Sequence, residues 1–76
     1  MPVFSYLAYP TRGNKEHLFR ELSKLEYCEV VPADREEVLV LLTDTPDEMR
    51  EKELQEQLAK IKYIQALTLT FGHGDA

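Results

Sequence analysis

Near its C-terminal end the chain alternates strictly between two kinds of side chain. In Tyr63-Ile64-Gln65-Ala66-Leu67-Thr68-Leu69-Thr70-Phe71, Leu67, Leu69 and Phe71 share one side of an extended backbone. Ala66, Thr68 and Thr70 share the other. Period two predicts a strand whose first side seeks a core and whose second side is small and uncharged. Earlier, Val3 to Tyr9 is rich in β-branched and aromatic residues and predicts strand one, ended by Pro10. Leu18, Leu22 and Leu25, widened by Phe19, recur at helical spacing and predict a helix over 15–26, with Asn14 as its cap. Tyr27 to Pro32 reads as strand two, and Pro32, which cannot donate to a ladder, marks either an edge strand or a strand end. Glu37 to Thr43 is almost continuously apolar and reads as a central strand three. Thr45-Pro46-Asp47-Glu48 has the form of a capping box and opens a helix running to about Lys62, with Met49, Leu54, Leu58 and Ile61 facing inward. Gly72 to Ala76 reads as a tail.

The order β-α-β-β-α-β is the split βαβ arrangement of a ferredoxin-like α+β domain, a single unit over residues 1–76. Right-handed crossovers put both helices on one face of a four-stranded antiparallel sheet and leave the other bare. The parities then decide what that face displays. With Glu37 kept out of the core, Glu37, Leu39 and Leu41 fall on the open face, and Val38, Val40 and Leu42 lie beneath the helices. Glu29 and Val31 point out, while Cys28 and Val30 point in. Both parities of strand one are partly apolar; Val3, Ser5, Leu7 and Tyr9 are assigned to the open face, and the alternative stays open. Ala66, Thr68 and Thr70 complete it. Leu7, Leu39 and Leu41 would form a contiguous apolar patch, of the kind that tends to bind partners.

Charge narrows the partners. The net charge is −5 and the isoelectric point about 4.9, which disfavours a phosphate backbone and favours a basic partner. Cys28 is the only cysteine, so no internal disulfide or Cys-x-x-Cys pair exists, and a reducing cytoplasm is the expected compartment. No secretory leader and no apolar run near the roughly 20 residues of a membrane span is visible.

Candidate chemistry is sparse. His17 sits among helix charges and His73 in a Gly-flanked segment, and neither suggests a metal ligand or base. Cys28, on an inward parity, reads as a small core residue. Arg12-Gly13-Asn14 after strand one superficially resembles the loop of acylphosphatase-like enzymes, but it lacks the glycines of a phosphate-binding nest. RNA-recognition motifs also use an open sheet face, but they need aromatic residues on the central strands and a basic balance. The expectation is therefore no enzyme, no cofactor and no metal.

One family gathers these features. Ser5-x-Leu7, Leu18-x3-Leu22-x2-Leu25 leading into Cys28-Glu29-Val30, the run Glu37 to Leu42, Leu54-x3-Leu58-x2-Ile61 and the closing Ile64 to His73 together resemble the NapD-type chaperones over nearly the whole chain. Members usually carry a glycine before the Glu-Val of strand two, where Tyr27 stands here. The resemblance implies a cytoplasmic chaperone that binds the twin-arginine signal peptide of a periplasmic nitrate reductase catalytic subunit, or of another exported molybdoenzyme. Such binding holds back export until the cofactor is inserted, and the peptide docks as a helix on the sheet. The residues expected to bind it are Ser5, Leu7, Leu39, Leu41, Ala66, Thr68 and Thr70 as platform, with Glu29 and Glu37 as acidic rim. The chain is expected to be a monomer or weak homodimer, with no nucleic acid partner and no membrane insertion. The competing reading is a ferredoxin-like module for homodimerisation or small-ligand sensing.

Overall fold

The computed structural model describes residues 3–34 and 36–73. Its elements are β1 (Val3–Pro10), α1 (Lys15–Ser23), β2 (Cys28–Pro32), β3 (Leu39–Asp44), α2 (Glu48–Ala59) and β4 (Ile64–His73). The strands form one antiparallel sheet in the order β2-β3-β1-β4, so the fold is ferredoxin-like α+β. Tyr6 and Ala8 of β1, Leu39 and Leu41 of β3, Leu18 and Leu22 of α1, and Leu54 and Leu58 of α2 make a single buried cluster. Strand residues of one parity thus meet both helices, and the opposite sheet face is left without a helix.

The parity of β3 is the reverse of the one expected. Leu39 and Leu41 are fully buried under the helices, and Val40 and Leu42 lie on the open face. The registers agree: Leu39 pairs with Ala8 and Leu41 with Tyr6, whereas Val40 pairs with Leu7 and Leu42 with Ser5. Directly opposed residues share a face. Glu37 does not set the phase, because it precedes the strand in an exposed turn. Strands one and two follow the expected parities. Tyr6 and Ala8 are buried, Cys28 and Val30 pack against the core, and Glu29 and Val31 are exposed.

β4 departs from a uniform alternation. Leu67 pairs with Ala8 and Leu69 with Tyr6 on the helix side, but a register shift opposite Ser5/Tyr6 places Phe71 against Ser5. The extra residue of this bulge moves Phe71, expected in the core, to the open side, where it is 58% exposed. Leu69 stays on the helix side and is 52% exposed, because the edge strand projects past the helices. Gly72 and His73, expected in a tail, belong to the strand and pair with Phe4 and Val3; residues 74–76 lie outside the described residues. A Cβ at Gly72 would stand 2.8 Å from the Phe4 ring, which lies over the glycine and would have to shift to admit a side chain.

Both helices are shorter than their periodicity suggests. Asn14 stands at the N-cap position of α1 as expected, but its side chain makes no capping bond; its amide turns to the Thr11 hydroxyl, 2.8 Å away. In α2 the cap is Asp47, whose carboxylate accepts from the Arg50 amide at 2.7 Å. Thr45, the expected cap, is buried and engaged elsewhere. Met49 is 76% exposed, and Ile61 packs against the core from beyond the helix end. Tyr27 holds a left-handed φ of 65°, a conformation that suits glycine, while Arg50 lies 5.6 Å from its ring centroid. At the far end of the sheet the Lys15 ammonium donates to the carbonyls of Ala33 and Glu36, at 2.9 and 2.6 Å, and ties α1 to the β2–β3 turn.

The register can be read energetically. Leu39→Ala should cost about 3 kcal/mol in urea denaturation through the cavity it leaves, and Val40→Ala less than about 1 kcal/mol. A larger cost for Val40→Ala than for Leu39→Ala would mean the strand is phased the other way.

Candidate functional site

The open face is built from alternate residues of all four strands. Reading across, Glu29, Leu42 and Ser5 form one row that ends on β4 at Thr70 and Phe71. Val31, Val40, Leu7 and Thr68 form the next, and Tyr9 lies beside Ala66. Leu7, Val40 and Leu42 are half-buried by their neighbours; Val3, Tyr9, Val31 and Phe71 are exposed. Thr70 donates its hydroxyl to the Ser5 carbonyl at 2.9 Å and lies 3.2 Å from the Ser5 hydroxyl. These polar groups answer one another, which leaves the centre of the face apolar.

Of the residues expected there, Ser5, Leu7, Ala66, Thr68, Thr70 and Glu29 are on this face, and Glu37 stands exposed at its edge. Leu39 and Leu41 are not, since both are spent on the core. Val40 and Leu42 take their place, a substitution of apolar for apolar that follows from a one-residue change of phase. Asp44, opposite Val3, was not anticipated. Its signal was visible as a carboxylate two residues beyond Leu42, on the same parity.

The two ends of the face differ in charge. At one end Val3, Glu29, Leu42 and Asp44 line a shallow groove whose charged side chains are both acidic. At the other, Tyr9, Pro10, Arg12, Gly13, Glu37 and Gln65 line a groove of mixed sign. The loop carrying Arg12 contributes a single glycine in a left-handed conformation, Gly13 at φ 80°, so no nest of successive amides is formed.

Behind the sheet lies the most polar part of the interior. Glu51 is 2% exposed. Its carboxylate accepts from the Tyr6 hydroxyl at 2.6 Å, from Thr43 at 3.0 and 3.1 Å, and from Thr45 at 3.0 Å. The Gln55 amide donates to the Tyr6 oxygen at 3.0 Å. Among the described residues no basic side chain pairs with Glu51. Burial, and then the hydrogen bond to Glu51, hold the Tyr6 phenol well above its ordinary value, against the opposing effect of Gln55. Burial first, and the Glu51 charge second, push the Cys28 thiol up to about 11. Each of the three hydroxyls is held as a donor, which fits an orienting role for the cluster.

The other candidates stay apart. His17 is exposed, with Nδ1 3.2 Å from the Asn14 side-chain oxygen and its ring stacked on Tyr63. No group of three or more His, Cys, Asp or Glu side chains among the described residues is placed to hold a metal ion. No helix among them is long and apolar enough to cross a membrane. No family model matches the chain, and neither a curated protein nor a solved structure is significantly similar to it.

Two outcomes check this description. Glu51→Gln should lower stability by about 2 kcal/mol, and Tyr6→Phe by about 1 kcal/mol, in urea titrations, with the two losses less than additive because they share a bond. With a thiol near 11, Cys28 is almost fully protonated at pH 8. Its alkylation by iodoacetamide in the folded chain should be at least roughly tenfold slower than that of a free cysteine, and should accelerate as the pH rises towards that value.

Proposed function

We propose that the open sheet face binds an extended or helical leader peptide that is basic at its start and apolar after it. This is the twin-arginine type of signal peptide, and the protein is a chaperone that shields it before export. The observation that carries this reading is the bare face itself, with an apolar centre of Leu7, Val40 and Leu42 and an acidic end at Glu29 and Asp44. Ala66, Thr68 and Ser5 are short, so a peptide backbone can come close to the sheet. The two carboxylates accept the arginines, and the apolar stretch of the leader runs across Leu7 and Val40 towards Tyr9. The patch is modest, which suits a partner that must be released. The resemblance to NapD-type chaperones supports the same reading. It adds the cargo, a periplasmic nitrate reductase catalytic subunit or a similar exported molybdoenzyme, and the compartment, the cytoplasm.

The test is a titration of the protein with a twin-arginine peptide, followed amide by amide in solution. Val40→Lys should weaken binding at least roughly tenfold with an unchanged circular dichroism spectrum, through lost contact and added repulsion. Replacing the two arginines, or adding salt, should weaken it as well. Shifts confined to the helix side, or an affinity indifferent to Val40→Lys, would refute the proposal.

A further inference from the structure

The sheet has two edges, and they are defended unequally. β2 is five residues long, ends in Pro32 and carries Glu29. Short length, proline and charge are the devices by which edge strands avoid pairing with another chain. β4 has ten residues, Ile64–His73, and no proline. From Tyr63 to Gly72 it carries no acidic or basic side chain, in a protein whose net charge is −5. Its register against β1 shifts towards both ends, opposite Ser5/Tyr6 and opposite Tyr9/Pro10, so the regular stretch runs from Ala66 to Leu69. It also presents apolar groups to both sides of the sheet, Leu69 at 52% and Phe71 at 58% exposure.

We propose that β4 pairs antiparallel with β4 of a second copy of this chain, joining two sheets into one of eight strands. The occupant follows from charge and symmetry. Most of the surface of an acidic protein repels its own copy, whereas this strand brings no like charges together. An antiparallel pair of identical strands is a two-fold contact that consumes the exposed edge on both sides and closes. A two-fold axis at Thr68 sets Leu67 of one copy opposite Leu69 of the other on the helix side, and Ala66 opposite Thr70 on the open side. Side chains that now overhang the helices are covered, and the outward amides of β4 gain partners. The remaining edges of the assembly are the two copies of β2, which are protected. The contact is small, so association depends on concentration. It leaves the open face free and does not rest on the peptide-binding reading.

Sedimentation equilibrium of the purified protein, with amide hydrogen exchange at low and high concentration, tests this. The expected result is a monomer–dimer equilibrium, with alternate amides between Ala66 and Leu69 gaining protection as concentration rises. Leu69→Lys should raise the dimer dissociation constant at least roughly tenfold, while Val40→Lys leaves it unchanged. A chain that stays monomeric at every concentration would overturn the proposal. So would a dimer whose formation protects no β4 amide, or one broken by Val40→Lys and not by Leu69→Lys, which assigns self-association to the open face. Protection of β4 by an added twin-arginine peptide in place of a second copy would overturn it too.

Discussion

The arrangement of this domain depends on keeping one carboxylate dry. α2 buries only Glu51, Leu54 and Leu58, too few apolar groups to fix its position by burial alone. Taking a carboxylate out of water costs several kcal/mol unless its lone pairs are answered. Here they are answered by hydroxyls from β1, from β3 and from the segment leading into α2. The cost makes the geometry selective: a helix shifted by one turn, or rotated away from Tyr6, would leave the charge buried without donors. Two leucines supply attraction between helix and sheet, and the cluster around Glu51 supplies the address.

That constraint reaches the opposite surface. Thr43 must face Glu51, and a strand's side chains alternate, so Leu41 and Leu39 must face the helices too. Val40 and Leu42 are then forced to the other side, where they meet Leu7 and Ser5. The apolar centre of the open face is in this sense the reverse print of the buried cluster. The same logic places Asp44 beside Glu29 at one end of the face. An acidic end and an apolar middle therefore share that face, and no helix among the described residues covers it.

Much of this was legible in the chain. Six elements in the right order, the central place of strand three, the edge place of strand two and the inward turn of Cys28 and Val30 all followed from periodicity and from Pro32. The phase of strand three did not, because Val38 to Leu42 is apolar at both parities and period two then carries no information. Glu37 offered a charge to break the tie, but it lies outside the strand; the residue that breaks it is Thr43, whose partner is 8 residues away on a helix. Phe71 was misplaced by a bulge, which strict alternation hides. The cap of α2 is Asp47 and not Thr45, because the Thr45 side chain is turned inward, where it donates to Glu51. Met49, expected on the inward stripe with Leu54, Leu58 and Ile61, lies outside, because the position of the first turn that enters the core is taken by Glu51.

The hydroxyl-caged glutamate also bears on ancestry. A leucine in the core can drift to isoleucine or methionine with little loss, so apolar pattern erodes quickly among descendants. Losing Tyr6, Thr43 or Thr45 takes a donor from the buried Glu51 carboxylate, and losing Glu51 takes the acceptor from three buried hydroxyls, so a change at one position weakens the case for keeping the others. Lineages that share this architecture by descent should retain or lose those four positions as a set, and the set is a more discriminating signature of kinship than the leucines around it.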